Sequence, residues 1–185
     1  RALQSKDELE ALIGRVRDAI IGAADEDGRR APLVLKIAPD LVEDELHEIA
    51  EVCLKMKVDA LSVSNTTISR PPLTAKHEEE TGGWAGAPLC RLSSVRLARM
   101  HSMTRGKVAL IGAGGIASAE DAWQKLRAGA SLLQLYSALV YQGPQLIVDI
   151  LQGLTDRLDE HGFPGLHEVT GSGRDEWIKG GPSRK

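Results

Sequence analysis

The sequence predicts an α/β fold with a parallel sheet, on three observations. Short apolar runs of strand length alternate with stretches whose apolar residues recur at helical period. Most of the strand runs are apolar almost throughout, as expected when both faces of a parallel sheet are covered. A glycine-rich turn, Gly112-Ala113-Gly114-Gly115-Ile116-Ala117, joins one of these runs to the helix that follows. Glycines in that position let backbone N–H groups approach a phosphate at the positive end of a helix.

The elements follow in order. Ser5-Lys6-Asp7-Glu8 has capping-box spacing, a hydroxyl at the N-cap and a carboxylate three residues on. Behind it Leu9, Leu12, Ile13, Val16 and Ile20 form a helical stripe. After the polar linker Asp25 to Arg30, Leu33-Val34-Leu35-Lys36-Ile37 reads as a buried strand that Pro39-Asp40 ends. Leu46, Ile49, Ala50, Cys53 and Met56 mark the next helix, and Leu61-Ser62-Val63-Ser64 the second strand. Val108 to Ile111 is the third strand, and Ser118 caps the helix of Ala119, Ala122 and Leu126, which ends near Gly129. Leu132-Leu133-Gln134-Leu135-Tyr136 is the fourth strand. Pro144 opens a long amphipathic helix that Gly162 stops. From Thr170 the chain is rich in glycine and charge and reads as loose.

Four βα units result, about half the element count of a (β/α)8 barrel, which needs ~250 residues. The chain has 185, enough for one domain with a core. It is therefore a small open sheet or the second half of a barrel. Hydrophobic content of 42% and charged content of 26% are ordinary for a soluble domain, and a net charge of −3 offers no basic surface for nucleic acid. No stretch approaches the ~20 apolar residues of a membrane span. Cys53 and Cys90 stand outside any C-x-x-C, so neither a disulfide framework nor a zinc spacing is present. G-x-S-x-G, H-E-x-x-H and Walker patterns are absent, which removes support for hydrolase and nucleoside-triphosphatase chemistry. The five histidines show neither ligand spacing nor a partnered acid.

Ligands in α/β proteins sit at the carboxyl ends of the strands. Those ends carry Lys36, then Ser64-Asn65-Thr66-Thr67, then the glycine turn, then Tyr136-Ser137. Lys36 lies inside an apolar run. It fits equally a fixed charge beside an electron-accepting cofactor and a lysine reaching solvent from a strand end. Asn65 and Thr66 offer donors and acceptors for a planar polar ring, and are also common at strand exits. The connection from Thr67 to Leu89 is far longer than the ~2–6 residues usual between strand and helix. It contains Arg70-Pro71-Pro72, a charged run from Lys76 to Glu80, and Gly82-Gly83-Trp84-Ala85-Gly86.

The glycine turn matches a relaxed dinucleotide fingerprint, G-x-G-x-x-A, and equally the phosphate site of a barrel. A dinucleotide site needs an acid about 20 residues on, at the end of the next strand. Leu132 to Tyr136 holds none, and two strands precede the turn. Both facts favour the barrel.

Assembled, these residues resemble the class 2, quinone-linked dihydroorotate dehydrogenases. The matching stretches are Leu35 to Leu41, Ser64 to Pro71, Glu80 to Gly83, Gly86 to Leu89, Ile111 to Gly115, and Arg127 to Ser131 running into Leu135-Tyr136-Ser137. The resemblance covers roughly residues 3 to 165. It implies a (β/α)8 barrel of which this chain supplies about the last four βα units, with residues 1–168 in the barrel and 169–185 as a flexible tail. It implies FMN as cofactor, dihydroorotate and orotate as substrate and product, a quinone acceptor, and a place in pyrimidine synthesis.

Carried over by position, Lys36 sits by the flavin ring and Ser64, where the family more often has Thr, hydrogen-bonds it. Asn65 and Thr66 hold the orotate ring. Gly86, Gly114, Gly115, Tyr136 and Ser137 bind the ribityl phosphate. Trp84 and Ala85 stand where the family commonly has Leu and Ser, so a hydroxyl contact is lost at Ala85. Ser137 replaces the usual Thr and keeps the hydroxyl. The family's catalytic serine base lies in the first half of the barrel, so no catalytic residue is expected in this chain. The resemblance further implies a C-terminal fragment or one piece of a split protein, paired with the N-terminal half of the barrel. It implies attachment to the mitochondrial inner membrane, or to a bacterial cytoplasmic membrane, through that missing region. A different FMN barrel oxidoreductase and a non-catalytic α/β binding module are the alternatives.

Overall fold

Branched and apolar side chains favour extended backbone, and the chain uses them in four short strands. The computed structural model describes residues 6–69 and 81–182. Along the chain come α1 (Lys6–Gly22), β1 (Val34–Ile37), α2 (Glu43–Lys55), β2 (Ala60–Val63) and a 3-10 turn (Ala87–Leu89). Then follow α3 (Cys90–Met103), β3 (Ala109–Ala113), α4 (Ala119–Ala128), β4 (Leu132–Gln134) and α5 (Ser137–Gln142). The chain closes with α6 (Gln145–His161), α7 (Leu166–Val169) and α8 (Arg174–Ile178). Ser5 and the segment from Arg70 to Glu80 lie outside the described residues.

The strands form one parallel sheet in the order β1-β2-β3-β4. All four carboxyl ends therefore meet at one edge. The register sets Lys36, Ser62, Ile111 and Leu132 side by side, and Ile37, Val63, Gly112 and Leu133 in the adjacent row. Paired residues share a face, so the two rows look opposite ways. The Ile37 row, with Leu61 and Leu110, packs into the core with Leu46, Ile49 and Val52 of α2, Leu97 of α3 and Leu126 of α4. Gly112 is needed there: a Cβ would lie 3.0 Å from the Ala130 Cβ and 3.4 Å from Leu97 Cδ2.

The other face is open where cover on both faces was expected. Val34 is 43% exposed and Leu132 59%, and Lys36, Ala109 and Gln134 are exposed with them. Ala60, Ser62 and Ala113 in the middle of this face are buried. Apolar content cannot distinguish a strand with helices on both faces from one whose second face lines a barrel.

The helix ends follow the sequence closely. Ser118 Oγ accepts from Asp121 N–H at 3.1 Å, Gly129 (φ +122°) ends α4, and left-handed Gly162 (φ +69°) ends α6. Four helices escaped the periodicity: α3, the short α5, and α7 and α8 near the end of the chain. In α3 the buried positions include Ser93 and Ser94, which blur its apolar stripe. Tyr136 and Ser137 lead into α5, so β4 stops at Gln134. Among the described residues no helix is long and apolar enough to cross a membrane. Burial pushes the Cys53 thiol up to about 12, so it packs as a small apolar group.

The end of the chain departs from the expected loose tail. α7 and α8 dock on the sheet-facing helices through Val169 and Trp177, both buried. Gly171 N–H donates to the Leu126 carbonyl and Gly173 N–H to the Arg127 carbonyl, each at 3.0 Å. Thr170 Oγ1 donates to the Ala130 carbonyl, and Arg127 pairs with Glu176 at 3.0 Å. One aromatic anchor outweighs the flexibility of the surrounding glycines. Trp177→Ala in the full-length protein should lower stability by about 3 kcal/mol, read as a lower denaturation midpoint. An unchanged midpoint would show that the docked tail adds nothing.

Candidate functional site

Where the four strands end, their loops enclose a cavity of about 370 Å³. That is within the usual size of a small-molecule site. Lys36, Ser64, Asn65, Thr66, Gly86, Gly114, Gly115, Tyr136 and Ser137 all line it. Every cofactor and substrate position singled out in the sequence thus falls on one cavity. Ala85, Ala113, Ile116, Gln134, Leu135, Tyr141 and Gln142 complete much of its wall.

Each loop is held by the ladder it leaves. Beyond β2, Ser64 N–H donates to the Ala113 carbonyl at 3.3 Å and Asn65 N–H to the Ile37 carbonyl at 2.8 Å. These bonds continue the sheet on both sides and place Asn65 between the ends of β1 and β3. Buried Ser64 donates its hydroxyl to the Asn65 carbonyl at 3.0 Å. Asn65 Oδ1 accepts from Thr66 N–H at 2.9 Å, which leaves the amide NH2 as the donor available to a ligand. The Val63–Ser64 peptide is cis.

A carboxylate organises the loop that follows. Asp40 accepts from Thr67 Oγ1 at 2.5 Å, Ser69 Oγ at 2.9 Å and Ile68 N–H at 3.1 Å. Thr67 and Trp84 exchange two backbone hydrogen bonds, at 3.0 and 2.8 Å, which closes the long connection at its base. Burial favours the neutral Asp40 carboxyl. The bonds from Thr67, Ile68 and Ser69 outweigh it and hold the group below its usual range. In the sequence Asp40 marks only the end of a strand; its role depends on partners 27 to 29 residues away.

The glycine turn is a cradle. Gly114 (φ +95°) and Gly115 (φ +77°) adopt backbone that side chains rarely take. A Cβ on Gly115 would lie 2.5 Å from the Cys90 Cβ and 2.7 Å from Cys90 N; one on Gly114 would lie 2.9 Å from Leu89 Cδ2. Gly86 (φ +77°) faces Ser137, whose Cβ a substituent would meet at 3.8 Å. Gln142 Nε2 donates to the Ala117 carbonyl at 3.3 Å and ties α5 to the far end of the turn. Exposed Lys36 makes no ion pair among the described residues, and Tyr136 is 80% exposed.

One charged residue behind this turn was missed. Lys125 of α4 is fully buried, donating to the Cys90 carbonyl at 3.3 Å and to Ser93 Oγ. Burial pulls its ammonium down to about 8, against the pull of Cys90 and Asp121 in the other direction. Its place between Ala122 and Leu126 on the apolar stripe of α4 was the available signal.

The sequence model of the family described as "Dihydroorotate dehydrogenase" matches residues 1–158. The chain belongs to the dihydroorotate dehydrogenase family. It is 50% identical over 173 residues to the "Dihydroorotate dehydrogenase (quinone)" of Parvibaculum lavamentivorans, covering 93% of this chain and 48% of that protein. It is 44% identical over 174 residues to the "Dihydroorotate dehydrogenase (quinone), mitochondrial" of Arabidopsis thaliana, covering 93% and 38%. The crystal structure of the dihydroorotate dehydrogenase of Eimeria tenella with ferulenol superposes with a TM-score of 0.87 at 34% identity, covering 92% of this chain and 49% of the other. The chain spans about half the length of the bacterial relatives it matches, and corresponds to their C-terminal half. The open sheet is thus part of a dihydroorotate dehydrogenase barrel.

Asp40→Asn should leave β1 and β2 intact but loosen the loop from Asn65 to Ser69. Proteolysis or hydrogen exchange of that segment should accelerate several-fold. A depressed carboxyl contributes stability that is present above its unfolded pKa of about 3.9 and is lost as pH falls through the lower folded value. The loop in the native protein should therefore loosen only under strong acid. An exchange rate equal in variant and wild type at pH 7 would remove Asp40 from this role.

Proposed function

We propose that this chain forms the cofactor- and substrate-facing part of a quinone-dependent dihydroorotate dehydrogenase. The reaction is the oxidation of dihydroorotate to orotate in pyrimidine synthesis, with FMN as cofactor and a quinone as acceptor. The observation that carries the proposal is the convergence on one cavity of nine residues, eight at or just after the four strand ends and Gly86 from the connection before α3. The quinone rests on the names of the relatives, and a mitochondrial location on that of the plant relative alone; a membrane site rests on the family resemblance.

The residues present fit FMN. Gly114 and Gly115 bring bare backbone to the cavity where a Cβ would collide. Gly86 and Ser137 face one another across the same wall. Backbone N–H groups and a hydroxyl are the donor set for a phosphate. Gly86, Gly114, Gly115, Tyr136 and Ser137 would hold that phosphate, and Ser64 and Lys36 would face the ring. When bound, FMN supplies the hydride-accepting chemistry.

This chain's share is orientation and charge. The ladder bonds on either side of Asn65 fix its amide, which with Thr66 presents hydrogen-bonding groups to a planar carboxylated ring. Lys36 sets a positive charge at the cavity wall, where negative charge developing in the reaction is stabilised. A base that takes the substrate proton would come from outside this chain, as the family resemblance implies.

Anaerobic dihydroorotate should bleach the flavin absorbance of the full-length protein. Lys36→Ala should slow that reduction roughly 100-fold in stopped flow. An unchanged rate in the variant would remove Lys36 from the chemistry. A wild-type flavin that dihydroorotate cannot reduce would overturn the proposed activity.

A further inference from the structure

Among the described residues Lys125 is the one charged side chain that is fully buried, and nothing in the proposed chemistry uses it. It belongs to the helix that follows the glycine turn, and its ammonium reaches back beneath that turn. Nζ donates to Ser93 Oγ and to the Cys90 carbonyl. The Ser93 hydroxyl lies 3.2 Å from the Gly114 carbonyl, 2.8 Å from that of Leu89 and 3.1 Å from that of Cys90. Its single proton is donated to one of these carbonyls at a time, that of Gly114 among them, while its oxygen accepts from Lys125.

The consequence follows from peptide geometry. In a trans peptide the carbonyl and the next N–H point in opposite directions. Holding the Gly114 carbonyl inward on Ser93 therefore turns the Gly115 N–H the other way, and both glycines line the cavity. Asp121, one turn before Lys125, accepts from Ala117 N–H at 3.1 Å and Ser118 Oγ at 2.9 Å. Its negative charge at the far end of the turn would oppose an anion. Lys125 offsets that charge from behind and makes no ion pair among the described residues. A buried charge under an oriented peptide acts on a ligand through protein rather than through screening water.

We infer that Lys125 is a positioning residue for phosphate: through Ser93 it orients the Gly114–Gly115 peptide, and its charge makes the site select a phosphorylated flavin over the same flavin without phosphate. The inference rests on the FMN reading above. It assigns no contact between Lys125 and the ligand.

The test is a titration of the flavin-free full-length protein with FMN and with riboflavin, read by flavin fluorescence. Two variants divide the effect: Lys125→Met removes the charge at similar length, and Ser93→Ala keeps the charge and removes the relay. Wild type should prefer FMN. Lys125→Met should weaken FMN binding about tenfold and change riboflavin binding less than about twofold; Ser93→Ala should show a smaller loss in the same direction. Equal losses for both flavins would mean a packing role and overturn the inference, as would an unchanged preference for FMN in Lys125→Met. Should that variant fail to fold, an unchanged preference in Ser93→Ala overturns it alone. A wild type that binds neither flavin, or does not prefer FMN, would overturn the FMN reading and this inference with it.

Discussion

The close packing of Gly115 against the first residue of α3 is the contact on which the site depends. With a substituent 2.5 Å from the Cys90 Cβ, only glycine allows the turn after β3 to touch the start of that helix. The contact locks two separate stretches of chain together, the glycine turn and the run from Ala87 to Ser93. It anchors the turn itself, the 3-10 turn that carries Leu89 over Gly114, and the Ser93 hydroxyl that receives the Gly114 carbonyl. Gly86 is at the near end of the 3-10 turn and so is brought opposite Ser137 at the start of α5. A ligand cradle made of backbone needs such support, because its shape has no side chains of its own to hold it.

The parallel register supplies the second constraint. Because β1 to β4 all run one way, every loop with chemistry leaves the sheet on the same edge. The face beneath that edge is divided sharply. One side buries Ile37, Leu61, Val63 and Leu110 against helices, while the other leaves Val34 and Leu132 in solvent. That is the pattern of a barrel wall carrying half its strands, and it agrees with relatives about twice as long. Tyr136, Val140, Tyr141, Val148 and Leu151, beyond β4, are exposed as well.

Much of this was legible in the sequence because the signals were local. The strands were apolar runs, Ser118 was a cap, Gly129 and Gly162 were stops, and the residues at the strand ends fell together once the strands were parallel. What stayed hidden depended on distance along the chain. Asp40 reads as a turn residue until Thr67, Ile68 and Ser69 arrive from another loop. Lys125 reads as an ordinary helical lysine until α3 covers it with Ser93 and Cys90. The end of the chain looked loose because its glycines were counted without the one tryptophan that docks it. Apolar strands also gave no hint that one face was open, since a barrel interior and a helix-covered face use the same residues.

A crystal structure of the full-length protein with FMN and orotate bound tests the site most directly. The FMN phosphate should lie on the N–H groups of the Gly114–Gly115 turn and Ser137, with orotate on the amide of Asn65. A phosphate held elsewhere, or an orotate that leaves Asn65 untouched, would contradict this placement.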